Sequence, residues 1–326
     1  MKTNVMRKFL VTGAAGFIGS FLVEKLLAMD FEVVGVDNLS NGKMENLKDS
    51  ISSPNFHFFE FDVCDSKRLQ ELILDFSITE IWHLAANTDI ITSHQSPFRD
   101  FRDCAEATVQ VLEAMRITGV KKIIFASSGS VYGHLGNNLI VNESTGPLMP
   151  LSTYGAGKLA SEGFIAAYAN LYKIESHIFR FGNVLGSRIN HGVIYDFINK
   201  INQDKSILRV LGDGTQEKNY FRVIDCLDGM WQISNVPIEI EYCRILNLGN
   251  STLTNVLKIA KICADVVGAF EIQIEIEGNA LAWPGDQPII RLDCRLANSF
   301  GWTCSSDSDE SVRLTAAELY QKSKLN

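Results

Sequence analysis

The chain has 326 residues, of which 46% are apolar and 21% are charged, and its net charge is −8. This length allows one large domain, or a large domain with a smaller lobe, and the composition is that of a globular protein with a sizeable core. No cluster of lysine and arginine forms a basic face, so nucleic acid is not an expected partner. No apolar run approaches the roughly 18 residues that cross a membrane, so no membrane partner is expected either.

The cysteines and histidines indicate neither a disulfide framework nor a metal site. Seven cysteines are scattered without a CxxC pair, and six histidines occur without HxH or HExxH. Such cysteines are typical of reduced, buried thiols in a cytoplasmic protein, and no metal is expected. The basic N-terminal tail leads into an apolar stretch that Gly13 and Gly16 interrupt, which predicts a first β-strand rather than a secretory signal.

Short β-rich runs alternate with helical patterns along the first 180 residues. This alternation predicts a Rossmann-type α/β fold, a doubly wound parallel sheet covered by helices on both faces. The predicted strands are Lys8–Thr12, Glu32–Val36, Phe56–Phe61, Glu80–Leu84, Lys122–Ala126 and Ser176–Arg180. The predicted helices are Phe17–Met29, Asn41–Lys48, Ser66–Phe76, Pro97–Thr118 and Thr153–Leu171.

The pattern loosens after Arg180, where glycine, asparagine and aspartate become common. We therefore predict one domain over residues 1–180, with a later strand near 220–250 that could return to its sheet. Residues 181–326 are predicted to form a smaller α/β lobe. Its predicted helices are Val193–Gln203, Leu253–Val267 and Ser311–Lys322.

A glycine triplet follows the first predicted strand and opens the first predicted helix. Gly13 would permit the tight turn, Gly16 would let the backbone approach a pyrophosphate, and Gly19 would let the helix pack on the strand. The pyrophosphate would then lie at the helix N-terminus, where free N–H groups favour an anion. The triplet alone also fits an ordinary strand-to-helix turn, since its spacing is GxxGxxG.

An acidic residue at the end of the second strand strengthens the dinucleotide interpretation. Asp37 lies eighteen residues after Gly19. A carboxylate there would bind the adenosine ribose hydroxyls and repel a 2′-phosphate, which favours NAD over NADP, although Asp37 could also simply begin a turn. The same loop and the end of strand three add candidate NAD contacts, which could equally be loop caps: Asn38, Ser40, Asn41, Asp62 and Val63.

Tyr154 and Lys158 form a YxxxK pair at the start of a predicted helix, one turn apart and so on one face. A nearby amine lowers the pKa of a phenol, and such a tyrosine can exchange a proton with a sugar hydroxyl. The pair is short and also fits an exposed tyrosine beside a solvated lysine. The run from Ser127 to Gly133, SSGSVYG, follows strand five and favours the catalytic interpretation of the pair.

The motifs taken together resemble the extended short-chain dehydrogenases/reductases. TGxxGxxG, HLAA, SSxxVYG, YxxxK and RxxNVxG occur in that family's order, and the similarity runs from Lys8 to about Leu319. Within the family the chain looks most like the nucleotide-sugar 4-epimerases. The resemblance implies an NAD-binding domain at 1–180 and a nucleotide-sugar-binding lobe at 181–326.

The resemblance also implies a role for individual residues. Tyr154 would be the acid/base, Lys158 would hold the nicotinamide ribose and tune Tyr154, and Ser128 would bind the reacting hydroxyl. Asn183 would contact the substrate diphosphate. Further NAD contacts would come from Phe17, Ile18, Leu84, Ala85, Ala86, Ala126 and Phe181, and further substrate contacts from Val193, Lys218 and Asp286.

Several departures from the family pattern bear on function. The dehydratases carry an Asp-Glu pair where this chain has Gly129 and Ser130, which disfavours 4,6-dehydration. Cys104 stands at the usual position of a catalytic-site asparagine and is a poorer hydrogen-bond partner. Lys218 replaces an arginine and loses its bidentate fork. Trp283 replaces another arginine, and it fits either stacking on the substrate or packing in the core.

Three functions are consistent with these residues. The first is an NAD-dependent epimerase that oxidises and re-reduces carbon 4 of a nucleoside-diphosphate hexose. The second is a nucleotide-sugar dehydrogenase or reductase with the same catalytic residues, and the third is a non-catalytic NAD-sensing protein. The presence of Ser128, Tyr154 and Lys158 disfavours the third. The resemblance also implies a homodimer paired through Ala105–Thr118 and Tyr154–Leu171.

Overall fold

The computed structural model describes residues 7–88, 96–133, 140–238, 241–278 and 289–325. The strands are β1 (Lys8–Thr12), β2 (Glu32–Asp37), β3 (Phe56–Glu60), β4 (Glu80–His83), β5 (Lys122–Ser128), β6 (Ile140–Val141), β7 (Glu175–Phe181), β8 (Asn183–Leu185), β9 (Ile207–Leu211), β10 (Glu217–Lys218), β11 (Tyr220–Arg222), β12 (Cys243–Leu248), β13 (Thr254–Asn255), β14 (Gln273–Glu277) and β15 (Ile289–Leu292). The helices are α1 (Phe17–Ala28), α2 (Ser66–Asp75), α3 (Pro97–Asp100), α4 (Ala107–Thr118), α5 (Thr153–Tyr172), α6 (Val193–Gln203), α7 (Val223–Ser234), α8 (Val256–Val267), α9 (Arg295–Ser299) and α10 (Ser308–Leu325).

The largest sheet has seven strands in the order β12-β7-β5-β4-β1-β2-β3. β1 pairs in parallel with both β2 and β4, and β4 pairs in parallel with β5. Parallel neighbours need long crossover connections, which the intervening helices supply. This strand order confirms the predicted Rossmann-type α/β fold.

The chain forms two compact units, and each is discontinuous in sequence. The first comprises Met1–Ser127, Ser152–Phe179 and Ser234–Ile245, and the second comprises Ser128–Leu151, Arg180–Ile233 and Leu246–Asn326. In the first unit, fully buried side chains of the strands, such as Leu10, Ile81 and Ile123, form one apolar cluster. Burial of each such side chain contributes about 1.5–3 kcal/mol relative to exposure.

The second unit has its own core and smaller sheets. Three helices, α6, α8 and α10, supply buried side chains such as Phe197, Ile259 and Val312 to one cluster. A four-stranded sheet has the order β13-β10-β15-β6, and β11 pairs with β8 and β14 with β9. None of the described helices has the length and apolar character that a membrane crossing requires.

Four predicted helices differ from the observed ones, and one of them, 311–322, extends over Ser308–Leu325. Residues 41–48 form only a 3₁₀ turn, Met44–Leu47, because the Lys43 amide and the Asn46 side chain both donate to the Ala15 carbonyl. A π-helical turn, Phe101–Glu106, divides the predicted helix 97–118 into α3 and α4. The predicted helix 253–267 begins at Val256, after β13 pairs with β10.

Candidate NAD and nucleotide-sugar site

The turn between β1 and α1 brings its glycines into contact with neighbouring backbone. Gly13 has a φ of +71°, and a Cβ on it would lie 2.8 Å from the Ala85 amide nitrogen. A Cβ on Gly19 would lie 2.0 Å from the Gly13 carbonyl oxygen. No larger residue fits at either position unless the backbone moves.

The same turn leaves the N-terminus of α1 open for an anion. Gly16 is the N-cap residue, and in this described helix no side chain hydrogen-bonds to the cap and no acidic residue lies in the first turn. Phe17 and Ile18 begin the helix. The first amides of a helix have no partner within the helix, and together with the helix dipole they favour a phosphate group, so the turn fits the diphosphate of NAD.

Asp37 ends β2 and binds back to the glycine-rich turn. Its carboxylate is 7% exposed and accepts hydrogen bonds from the amides of Ala15 at 3.0 Å and Leu39 at 2.8 Å. Burial raises the pKa of Asp37, and these backbone hydrogen bonds oppose the rise. A Cβ on Gly42 would lie 2.8 Å from both carboxylate oxygens, so Gly42 keeps this space open. The sequence analysis missed Gly42, since its signal is only a glycine in the loop.

The loop after β2 meets the end of β3. Asn38 donates to Asp62 at 3.2 Å and accepts from the Ser40 amide at 3.0 Å. Asp62 also pairs with Arg102 at 2.7 Å. Burial alone would raise the pKa of Asp62, but the hydrogen bonds to it and the charge of Arg102 lower it. Val63 packs in the apolar core of the first unit.

The residues after β4 lie against β1. The Leu84 amide donates to the Thr12 carbonyl and the Ala85 amide to the Thr12 hydroxyl, both at 3.2 Å. Ala86 follows and is partly buried. These residues lie at the carboxyl ends of parallel strands, where ligands bind in open α/β sheets.

Tyr154 and Lys158 lie in the first turns of α5. Lys158 is 3% exposed, and its Nζ donates to the Ala126 carbonyl at 2.6 Å. The same nitrogen lies 5.9 Å from the ring centroid of Tyr154 and 4.7 Å from that of Phe125. Burial lowers the pKa of Lys158. An ammonium group held beside a phenol favours the phenolate, which is the state that accepts a proton.

Cys104 lies in the π-helical turn and packs against α5. A Cβ on Gly157 would lie 3.0 Å from the Cys104 Cβ, so a larger residue there would push the two elements slightly apart. The backbone N–H of Asn87 donates a hydrogen bond to the thiol of Cys104, and burial raises the pKa of this thiol. π-helical turns are frequent at functional sites.

Buried polar groups also join α3 to the start of α5. The Asp100 carboxylate is fully buried and accepts from the Asn87 amide group at 2.7 Å and the Thr153 hydroxyl at 2.5 Å. The Asn41 side chain lies 3.5 Å from that of Asn87. The candidate loop after β2 therefore reaches the residue that precedes Tyr154 through a chain of hydrogen bonds.

His83 is a second residue that the sequence analysis did not assign, although its HLAA motif was visible. Its Nδ1 lies 2.7 Å from the Thr12 hydroxyl and its Nε2 lies 3.2 Å from the Thr108 hydroxyl. Thr108 in turn lies 3.0 Å from the Ser161 hydroxyl on α5. Burial and the charge of Lys158 lower the pKa of His83 to about 3. The neutral imidazole therefore links β1, β4, α4 and α5 by hydrogen bonds.

In the second unit, Ser128 caps a 3₁₀ turn, Gly129–Tyr132. Its hydroxyl accepts from the Ser130 amide at 3.2 Å. A Cβ on Gly129 would lie 3.2 Å from the carbonyl oxygen of Phe181. Phe181 as a residue is 8% exposed. The turn that follows Ser128 therefore packs against the backbone of Phe181, another candidate residue.

Asn183 is joined to Asn219, a buried residue that the sequence analysis missed. The backbone and side-chain amides of Asn183 both donate to the Asn219 carbonyl at 3.1 Å. Cβ atoms on Gly182 and Gly249 would lie only 2.3 Å and 2.5 Å from the Asn219 side chain. Asn219 lies shortly after the GDGTQ run in the sequence, and this closeness to a family motif could have identified it as a candidate.

Two of the remaining substrate candidates, Val193 and Lys218, belong to the second unit. Val193 begins α6 and packs against the core of that unit. Lys218 lies in β10, opposite Thr254 of β13. Asp286, Gly285 and Trp283 lie outside the described residues. Within the described part of the chain, no group of three His, Cys, Asp or Glu side chains could hold a metal ion.

Comparison with known proteins shows which family has a sequence similar to this chain. Residues 9–249 match the model of the NAD dependent epimerase/dehydratase family. The UDP-glucose 4-epimerase of Mycolicibacterium smegmatis is 38% identical over 265 residues, which is 80% of this chain and 82% of that protein.

Two solved structures are similar along almost the whole chain. The Thermus thermophilus UDP-glucose 4-epimerase in complex with NAD is 29% identical, with a TM-score of 0.84 over 96% of this chain and 98% of that one. The Bacillus cereus UDP-glucuronic acid 4-epimerase, in complex with UDP-glucuronic acid and NAD, is 26% identical, with a TM-score of 0.86 over 97% and 99%. The chain therefore belongs to the NAD dependent epimerase/dehydratase family, within the extended short-chain dehydrogenases/reductases that its motifs resemble.

Proposed function

We propose that this protein is a nucleotide-sugar 4-epimerase that uses tightly bound NAD. The observation that carries the proposal is the buried Lys158 amine, which is held by the Ala126 carbonyl next to the Tyr154 ring. The similarity to UDP-glucose and UDP-glucuronate 4-epimerases supports the choice of substrate class.

The first unit offers groups for each part of the cofactor. Gly13, Gly16 and Gly19 would accommodate the diphosphate, and Asp37 would bind the adenosine ribose hydroxyls. Lys158 would bind the nicotinamide ribose. When bound, NAD accepts a hydride from carbon 4 of the sugar and returns it to the opposite face.

Side chains of the protein would transfer the proton and orient the sugar. Tyr154 would remove the proton of the 4-hydroxyl as the carbon is oxidised, and would return it after the keto sugar has turned over. Lys158 would stabilise the phenolate that makes this possible. Ser128 would hydrogen-bond the reacting oxygen. Asn183, Val193, Lys218 and Asp286 are the residues proposed to hold the nucleotide and sugar.

Incubation with a panel of nucleotide sugars, followed by NMR and mass spectrometry, tests this function. We expect a product of unchanged mass with inverted configuration at carbon 4, formed without added NAD. Loss of two hydrogens, with turnover only when an oxidant is added, would instead establish a dehydrogenase. Loss of water would establish a dehydratase and would contradict the inference from Gly129 and Ser130.

We further propose a homodimer that pairs through α4 and α5. Large apolar side chains are exposed on this part of the chain: Phe101, Ile117, Phe164 and Leu171. A second copy would remove them from water, and each fully buried side chain would contribute about 1.5–3 kcal/mol.

Light scattering at micromolar concentration checks the dimer. The chain mass is 36.2 kDa, and we expect about twice that value for the wild type and the monomer mass for a Phe164→Glu, Leu171→Glu variant. Phe270→Glu is the control, because Phe270 is a more exposed aromatic side chain that lies in the second unit. A monomeric wild type would contradict the proposal.

A further inference from the structure

A buried carboxylate, Glu162, lies one helical turn after Lys158 on α5. Glu162 is 3% exposed, and Ser127 at the end of β5 is 1% exposed. The Ser127 hydroxyl donates to the Glu162 carboxylate at 2.5 Å. This distance is that of a charge-assisted O–H···O⁻ bond. The bond fixes α5 to the strand that carries Ala126, the partner of Lys158.

We propose that Glu162 is a positioning residue for the Tyr154–Lys158 pair. It acts in two ways: through Ser127 it sets where α5 lies on β5, and its carboxylate, one helical turn from Lys158, is a counter-charge for that buried amine. The catalytic consequence rests on the proposed function, whereas the effect on Lys158 is a property of the protein alone.

The electrostatic part follows from the burial of Lys158. An ammonium group that is removed from water is costly unless an opposite charge compensates it. Residues at positions i and i+4 of a helix are neighbours. Burial lowers the pKa of Lys158, and the charges of Cys104 and then of Glu162 raise it. Without Glu162, Lys158 would lose its proton at a lower pH.

Other titratable groups also face this pair, and the charge of Cys104 is the larger of the two that raise the pKa of Lys158. Cys104 faces Lys158 from the π-helical turn, and burial raises the pKa of its thiol. His83 faces it from β4 with a pKa of about 3 and is neutral. Asp100 faces Cys104 and accepts from two side chains. Cys243 faces Glu162 from β12, and burial followed by the charge of Glu162 raises its pKa to about 12.

Glu162→Gln tests the charge, because glutamine keeps the shape and an acceptor for Ser127. We expect the pKa of Lys158 to fall, as measured by NMR of the lysine-labelled protein with Lys158→Met for assignment. The alkaline limb of the pH profile of kcat should move down by the same amount, with KM little changed. An unchanged pKa of Lys158 in a folded Glu162→Gln variant overturns the proposal.

Glu80→Gln is the matched control. Glu80 is also 3% exposed and accepts from two side chains, Trp82 and Arg7, but it begins β4, at the opposite end of the strand from His83. The Glu80→Gln substitution should lower the melting temperature without changing the pKa of Lys158. A shift as large as that of Glu162→Gln would mean that general loosening is the cause, and would overturn the proposal.

Ser127→Ala tests the positioning route and serves if Glu162→Gln does not fold. It leaves the charge in place, so kcat should fall several-fold with little change in the pKa of Lys158. Unchanged kcat would overturn this route. The NMR titration needs no substrate, so a protein that epimerises no sugar but shows the Lys158 shift would refute the proposed function and leave the inference about Lys158 standing.

Discussion

Replacing Tyr154 by phenylalanine is expected to lower epimerase turnover by about 10²–10⁴-fold, the usual contribution of a positioned acid/base. The ring remains, so its packing near Lys158 and the fold should be retained. Only the hydroxyl that carries the proton is lost. Rate measurements on the purified variant, with circular dichroism and quantification of bound NAD, check this expectation.

The control for this change is Tyr320→Phe. Tyr320 lies on α10, and its hydroxyl makes only a long contact of 3.4 Å with the Val267 carbonyl. Turnover of this variant should stay at the wild-type level. Retention of more than a tenth of wild-type turnover in Tyr154→Phe would show that another group transfers the proton.

Gly19→Ala is expected to lower the free energy of unfolding by about 3 kcal/mol and to abolish NAD retention. A Cβ there would lie 2.0 Å from the Gly13 carbonyl oxygen, which is backbone and cannot rotate away. Either α1 or the turn must move, and overpacking of this kind costs about 1–3 kcal/mol or more. The same movement would displace the amides that accommodate the diphosphate. Urea unfolding and cofactor quantification measure the two effects.

Gly163→Ala provides the comparison, because no atom outside its own helical turn lies within 4 Å of its Cβ position. Alanine stabilises an exposed helix by up to about 1 kcal/mol relative to glycine. Stability should therefore stay level or rise. If Gly19→Ala were as stable as Gly163→Ala and kept its NAD, the tight packing of the glycine turn would not govern the site.

Much of the fold was predictable because its signals are local. β1 and α6 match the predicted bounds Lys8–Thr12 and Val193–Gln203 residue by residue. β1 is a continuous apolar run and α6 has apolar residues at helical spacing, and each pattern reports directly which residues are buried. The predicted helix at 41–48 was wrong because the Ala15 carbonyl, which lies far away in sequence, competes for the Lys43 amide. A local pattern carries no information about such a competitor.

The sequence by itself determined the Rossmann-type fold and the family. It also determined those candidate residues whose relative positions follow from a local turn or from the spacing along one helix. The glycine triplet, Asp37, and the pair Tyr154 and Lys158 are of this kind, since each motif encodes its own geometry. Only the tertiary structure decided which buried groups support them. Thr12 meets His83 across 71 residues, and Ser127 meets Glu162 across 35. Such contacts exist because crossover connections place distant strands and helices side by side, and no local pattern specifies which distant side chains will meet.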